Sequence, residues 1–387
     1  MFRKIAVFIF WFFFGAGYIL NPFKPTIHIY IDWATTPALL QMINLIQQPT
    51  DDKKFIFWRR FPNLKERMDL KKHNAIQIDL PQSEGANDHS LTILSDSIKN
   101  IYSKNPNANY VIHSNLGWNE LLIPILQIIP RKRVKHIHTY EDALSNVVFS
   151  KRHYTLGVNP QKINYHFDLK QILDGKKAYH YTYDFAFHTL YPTTYYFGFV
   201  EYAQNNSEFD TFFRFLKTAH IKDISWNKIS QTLTEEQKQL IYSLVGFDAG
   251  WYKKQINGKK VDFFLLHGAF STQDEQIKTV LNLFKNNDKN RILVLKEHPN
   301  LSIRNIAQKI KEKIPNAIIF PKHIPFEILI LADLMPDTVS GYPSSIFYSV
   351  PKEKIKYYIT SDRDYYLPFL KELNIITNKQ VTQSMKD

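Results

Sequence analysis

Ile27-His28-Ile29-Tyr30-Ile31, followed a few residues later by the apolar-periodic stretch Pro37 to Ile46, decides the architecture. The first segment is a short β-branched and aromatic run. The second is long enough for a helix and has a proline near its first turn, where a missing backbone N–H costs nothing. A strand passing directly into a helix is the start of a βαβ unit, and the same alternation recurs along the chain. Further strands are expected at Phe55 to Trp58, Ala75 to Leu80, Tyr110 to His113 and Val134 to Tyr140, with helices near Leu91 to Tyr102 and Trp118 to Ile129.

From about Lys151 to Gly250 the chain reads as mainly helical and aromatic, and Leu233-Thr234-Glu235-Glu236-Gln237 has the form of a capped helix start. A second series then begins: strands at Val261 to Leu266, Arg291 to Leu295 and Ala317 to Phe320, with helices Gln276 to Phe284 and Ile303 to Ile314 between them. Strands Met335 to Val339 and Ile355 to Ile359 and a helix Leu367 to Leu373 close the chain. The expected fold is α/β: two Rossmann-like, doubly wound parallel sheets facing a cleft, since a polypeptide of 387 residues is enough for about two domains. The expected boundaries are 1–24 for a membrane anchor or signal-like segment, 25–190 for an N-terminal domain, 191–365 for a C-terminal domain, and 366–387 for a C-terminal helix packing back on the N-terminal domain.

Composition narrows the chemistry. Hydrophobic residues make up 44% and charged residues 22%, so the chain is neither disordered nor a multi-span membrane protein. With no cysteine, disulfides, thiolate metal sites and cysteine nucleophiles are excluded. Forty-nine Lys and Arg against 36 Asp and Glu leave a net charge of +13, which suits an anionic partner. Neither G-x-G-x-x-G nor G-x-x-x-x-G-K-[ST] is present, so a phosphate must be held without those glycine loops. Arg3 and Lys4 precede an apolar run from Ile5 to Leu20, and Asn21-Pro22 and Pro25 end it. The run is slightly short for a bilayer span, and we expect an uncleaved membrane anchor rather than a removed signal.

In open parallel sheets ligands sit beyond the carboxyl ends of the strands, so polar residues there are the candidates. His138-Thr139-Tyr140-Glu141-Asp142 ends one strand and offers Glu141 or Asp142 as a general base, or as an N-cap. Leu295-Lys296-Glu297-His298-Pro299 ends another, where Lys296 and His298 can meet phosphate oxygens. Gly341-Tyr342-Pro343-Ser344-Ser345-Ile346 opens a helix at which two hydroxyls and backbone N–H groups converge. Glu327 opens another helix and suits ribose hydroxyls or the helix dipole. Asp362-Arg363-Asp364 matches D-x-D but reads as a cap or solvated charge, and Arg131-Lys132-Arg133 as a solvated strand entrance rather than a nucleic-acid patch.

These places resemble the bacterial α2,3/α2,6 sialyltransferases of glycosyltransferase family 80. The resemblance is carried by Ile29-Tyr30-Ile31-Asp32 with Ala34-Thr35-Thr36-Pro37-Ala38-Leu39, by Leu233 to Gln237 with Leu244-Val245-Gly246-Phe247, and by Ile324-Pro325-Phe326-Glu327. Most specific is Leu334-Met335-Pro336-Asp337 running through Ser344-Ser345 to Val350-Pro351-Lys352-Glu353-Lys354-Ile355. The resemblance implies a GT-B type fold and an inverting transfer from CMP-sialic acid to a galactoside hydroxyl of a surface glycan, with no metal and no cofactor beyond the donor. It gives Asp142 the role of base and His298 that of partner to the leaving phosphate. Lys296, Pro299, Glu327, Ser344, Ser345 and Gly268 fall on the donor side, and Arg60, Trp118 and Thr35 on the acceptor side.

The sequence departs from the family pattern at Ala143 and Glu297, where the family has glycine, and in Ala269-Phe270-Ser271-Thr272, where it has an acceptor tryptophan. The donor half is therefore the better match. Two other activities fit the same residues: transfer of another CMP-linked nonulosonic acid or Kdo, and non-catalytic binding of polyanions by a membrane-anchored protein. The expected partners are a CMP-sugar, a galactoside-terminated and lipid-linked glycan, and the membrane through residues 5–20, with no nucleic acid. The supply of CMP-sugars argues for the cytoplasmic face of a bacterial inner membrane, whereas Arg3 and Lys4 ahead of the anchor argue by the positive-inside rule for the other side.

Overall fold

The computed structural model describes residues 24–61, 64–80, 88–142, 164–203, 206–267, 271–285, 288–298, 305–362, 364 and 366–385. The apolar run Ile5 to Leu20 and the site candidates Gly268 and Pro299 lie outside the described residues. Among the described residues no helix is long and apolar enough to cross a membrane.

The first sheet has seven parallel strands in the order β3-β2-β1-β4-β5-β6-β7. They are β1 (Thr26–Asp32), β2 (Lys53–Trp58), β3 (Ala75–Gln77), β4 (Asn109–Asn115), β5 (Val134–Tyr140), β6 (Thr193–Phe197) and β7 (His220–Asp223). β1 is buried on both faces from Ile27 onward, as a central parallel strand must be, which is why it reads as a continuous apolar run. The second sheet has the order β10-β9-β8-β11-β12-β13, again all parallel. Its strands are β8 (Lys260–Leu266), β9 (Arg291–Glu297), β10 (Ile318–Phe320), β11 (Thr338–Gly341), β12 (Ile355–Thr360) and β13 (Val381–Gln383). In each sheet the order reverses beside the first strand, between β1 and β4 and between β8 and β11. The carboxyl ends there open a crevice.

The chain thus forms the two parallel-sheet α/β halves expected of it, with two corrections. The first sheet takes two more strands from the stretch read as helical, so a boundary at 190/191 falls inside that sheet. Thr193-Thr194-Tyr195-Tyr196-Phe197 has strand composition but stands in a stretch rich in aromatic residues throughout, and β7 is a four-residue edge strand with no apolar run to announce it. The helices Trp226–Thr232, Glu235–Val245 and Ala249–Ile256 then bridge to β8. The expected cap at Thr234 is present as a capping box with Gln237.

The second correction is at the C-terminus. After the helix Leu367–Glu372, β13 returns to pair with β12. The helix itself sets Phe369 edge-on against Phe199 and Phe209, at 5.9 and 5.7 Å between ring centroids. Asn206 Nδ2 also donates to the carbonyl of Glu372 at 3.0 Å. The chain therefore crosses to the first half and comes back. One buried apolar cluster joins the first sheet, the bridging helices and one face of the second sheet, including Phe263, Leu265 and Tyr358. The opposite face of the second sheet has its own core of Phe264, Leu266, Leu293 and Leu295.

Candidate active site

The carboxyl ends of β1, β4 and β5 converge. Asp32 is wholly buried at the end of β1. Its Oδ1 accepts from Ala34 N at 2.8 Å and from Asn115 Nδ2 at 2.9 Å, and its Oδ2 from Gln41 Nε2 at 2.9 Å. Burial, and next the negative charge of Asp142, holds its carboxyl well above the ordinary range. Three donors nevertheless satisfy it, which gives the floor of the site a rigid support.

Glu141 and Asp142, adjacent at the end of β5, have different surroundings. Glu141 is 3% exposed and both oxygens are taken: Oε2 accepts from Gly198 N at 2.8 Å, and Oε1 from Tyr348 Oη at 2.7 Å. Tyr348 belongs to the second half, so this bond spans the cleft. Burial raises the Glu141 carboxyl to about 7 against the pull of those two donors. Asp142 is only partly buried, and its Oδ2 accepts from Trp118 Nε1 at 3.2 Å. Burial raises it to about 6, and the Asn115 amide, the Trp118 indole and the Arg60 charge oppose that rise. A carboxylate in the cleft, held near neutrality and without a full set of partners, is suited to take a proton. Geometry thus separates two candidates that adjacency in sequence left equal.

Asp142 lies in one pocket with residues of both halves. Thr36, Glu141, Asp142, Gly198, Ile224 and Trp226 line it from one side, and Glu327, Ser345, Tyr348 and Ser349 from the other. Glu327 is 2% exposed at the first turn of the helix Glu327–Leu331 and its carboxyl is raised by burial. Ser345 precedes the single helical turn Ile346–Ser349, and Ser344 Oγ accepts from Ile346 N at 3.3 Å. A side chain at Gly198 would overlap the Tyr348 ring, so the glycine is what lets the two halves approach here.

The remaining candidates lie around this pocket rather than on it. Thr35 opens the helix Thr35–Gln47, and its neighbour Thr36 does the lining. Arg60 Nε donates to the carbonyl of Trp33 at 3.0 Å, and the Trp33 and Trp118 rings are 5.7 Å apart. The Arg60 charge lowers both the Asp142 and the His298 pKa. His298, at the end of β9, packs its ring 4.4 Å from that of His267. Burial first, then His267, Lys296 and Arg60, push its imidazole down to about 3, so it is neutral here.

Lys296 differs from its expected use. Its Nζ is buried and donates to the carbonyls of Lys322 and Ile324, at 3.0 and 2.7 Å, and burial lowers it to about 7. It ties down the chain just before Glu327. A strand-end lysine reads the same in sequence whether it turns outward to a phosphate or inward to carbonyls. Asp364 is a cap, as expected, accepting from Thr360 Oγ1, Tyr366 N and Leu367 N. Among the described residues no three His, Asp or Glu side chains group as metal ligands.

Asp32, His267, Trp226 and Tyr348 were not singled out by sequence. Asp32 and His267 sit at strand ends and answer to the rule that found Asp142. Trp226 and Tyr348 carry no signal of position, since their place in the pocket depends on how the two halves close.

Comparison with known proteins agrees with this arrangement. The family model for Sialyltransferase PMO188 matches residues 27–382. Curated proteins compared by sequence return no match. Among solved structures, the α/β-galactoside α-2,3-sialyltransferase of Photobacterium phosphoreum is 24% identical, with a TM-score of 0.78 over 93% of this chain and 99% of that one. The GT-B domain of the Photobacterium damselae sialyltransferase is 22% identical, with a TM-score of 0.76 over 92% and 99%. The 2,6-sialyltransferase of Vibrionaceae Photobacterium sp. JT-ISH-224, solved with CMP and lactose, is 20% identical, with a TM-score of 0.74 over 93% and 78%.

Proposed function

Because this chain belongs to the bacterial sialyltransferase family of Sialyltransferase PMO188, and is therefore a glycosyltransferase, we propose that it moves sialic acid from CMP-sialic acid to a galactoside hydroxyl with inversion. The acceptor oxygen forms a bond to the anomeric carbon as the bond from that carbon to the CMP phosphate oxygen breaks. The leaving electron pair goes to the phosphate and the hydroxyl proton to Asp142. The carrying observation is that Asp142 shares one pocket with Glu327 and Ser345 of the opposite half. The JT-ISH-224 enzyme, bound to CMP and lactose, supports the choice of donor and acceptor.

Each half has a separate task. Asp142 takes the proton late, when the hydroxyl has become acidic in an oxocarbenium-like transition state, so a base with pKa near 6 suffices. Glu327 holds the ribose and the Ser344-Ser345 turn the phosphate. His298 enters neutral and donates one N–H to the phosphate, whose charge then favours its protonation. Arg60, whose charge acts on both Asp142 and His298, offsets negative charge on both sides of the reacting carbon. The bond between Tyr348 and Glu141 holds the halves closed, which keeps water from the donor.

The reaction needs no metal, and the enzyme acts at the cytoplasmic face of the inner membrane through residues 5–20, on lipid-linked glycans. The test incubates the protein with CMP-sialic acid, with and without a β-galactoside, reading CMP release and product mass for the parent and Asp142→Ala. Galactoside-dependent release lost in the variant is expected. Release that survives the substitution would sink the assignment of the base. Full loss of rate in chelator would sink metal independence, and recovery of the protein in the soluble cell fraction would sink the membrane assignment. A CMP-linked Kdo turned over faster than CMP-sialic acid would move the donor, since the residues named recognise CMP more than the sugar.

A further inference from the structure

The first sheet has a second edge, opposite the one that carries the pocket. All seven strands are parallel, so their amino ends gather on one side, opposite the pocket. The register confirms this alignment: Ile27 lies beside Lys53, Thr26 beside Asn109, Lys54 beside Ala75 and Tyr110 beside Val134. The residues entering these strands are basic. Lys24 leads into β1 and Lys53 begins β2. Lys71 and Lys72 precede β3, Lys104 ends the helix before β4, and Lys132 precedes β5.

Lys24, Lys71, Lys72, Lys104 and Lys132 are exposed and Lys53 is half-buried. The acids at this edge are Asp51, Asp52 and Asp69. Asp52 turns inward to His28 Nε2 at 3.4 Å, and Asp69 caps the backbone N–H groups of Lys71 and Lys72. Positive charge therefore prevails outward, while the opposite edge ends in Asp32, Glu141 and Asp142.

Two observations say what covers this edge. Between β2, β3 and the helix Asp88–Lys104 runs a groove floored by Phe55, Ile76, Ile78 and Ile101, with Lys53 and Lys104 on its rim. Ile76, on the edge strand, is 45% exposed. The apolar run Ile5 to Leu20 also precedes Lys24, where the chain joins the fold, and Asn109 N bonds the Pro25 carbonyl there at 2.9 Å. Basic side chains around an apolar groove, beside the point of entry of a long apolar segment, match headgroup phosphates above acyl chains.

We propose that the amino edge of the first sheet docks on an anionic lipid bilayer, with phosphates on Lys53, Lys104 and Lys132 and the apolar contact in the groove that Lys53 and Lys104 flank. The contact lies outside the transfer site and adds to membrane attachment through residues 5–20. Its test reads lipid partition alone and stands or falls separately from the reaction.

The full chain is floated with phosphatidylcholine vesicles, with and without phosphatidylglycerol, at low and high salt. At roughly fivefold per lysine near an anionic surface, Lys53→Gln, Lys104→Gln and Lys132→Gln together should weaken partition onto phosphatidylglycerol vesicles about a hundredfold, with an unchanged thermal midpoint. Asp51→Lys, on the same edge, changes the charge by two and at the same rate should tighten it roughly twenty-fivefold, a gain that misfolding cannot mimic. Equal partition of the parent and the triple variant would overturn the proposal, as would no preference of the parent for phosphatidylglycerol. Displacement of the parent from the vesicles by duplex DNA at matched phosphate would assign the edge to nucleic acid instead.

Discussion

The pH profile of Asp142 and Trp118 tests the site most directly. If Asp142 is the base, it must be ionised, and its folded pKa is about 6. On a log scale kcat/KM should rise with unit slope below that value and flatten above it, because this parameter reports the free enzyme. Only roughly a tenth of the enzyme is competent at pH 5 against about nine tenths at pH 7, so the ratio of rates should be about tenfold. Activity is lost as the pH falls, the direction required of a carboxylate that works as its anion.

Trp118 Nε1 donates to the ionised form at 3.2 Å, so Trp118→Phe removes a bond that favours the anion and moves the inflection upward. A hydrogen bond to a charged group at the weak end of its range, about 1.5 kcal/mol, corresponds to about one pH unit. The assay is initial-rate CMP release with subsaturating donor between pH 4.5 and 8.5, for the parent, Trp118→Phe and Asp142→Asn. Asp142→Asn should lose on the order of 10²- to 10⁴-fold on the plateau above pH 6, and its profile should lack the inflection, so that the gap to the parent narrows as the pH falls. An inflection near 4 in the parent, or one that Trp118→Phe leaves in place, would refute the reasoning.

Three other perturbations have worked outcomes. Glu141 has a folded pKa of about 7, raised from 4.5, so its stability contribution is present at low pH and lost as the pH rises from 4.5 through 7. Glu141→Gln should thus gain on the parent by roughly 3 kcal/mol between pH 4.5 and 8 in urea unfolding, and a constant difference would count against the raised pKa. Tyr348→Phe removes the bond across the cleft, worth about 1.5–3 kcal/mol as a bond to a charged group. Small-angle scattering should show a larger radius of gyration without donor, reversed by CMP, and an unchanged radius would show that the bond does not hold the halves. Lys296→Met leaves two buried carbonyls without their donor and should cost about 2–3 kcal/mol of stability and raise the donor KM by displacing Glu327. A loss confined to kcat would instead place the amine on the phosphate.

The alternation of strand and helix, the position of Asp142 at a strand end and the capped start at Thr234 were legible because each depends on local spacing and residue type. A strand followed by a helix has one economical way to bury both apolar faces, so Ile27 to Ile46 and Val261 to Phe284 announce the two sheets without help from the rest of the chain. β7 and β13 were not legible, because strands at the margin of a sheet need no apolar run of their own, and β6, paired on both sides, was hidden because its aromatic composition matches the stretch around it. Their place is decided by the partner already there.

What only the tertiary structure decided is which polar groups face which. Glu141 and Asp142 are neighbours of like charge in the sequence, yet Gly198 and Tyr348, 57 and 207 residues away, occupy one and leave the other to the cleft. Lys296 turns inward because the carbonyls of Lys322 and Ile324 come within reach of it only after the second half has folded. The basic edge exists because seven parallel strands bring their first residues to one side. Local spacing specifies elements, whereas charge placement and pKa depend on burial and on partners far along the chain, and those are properties of the folded molecule.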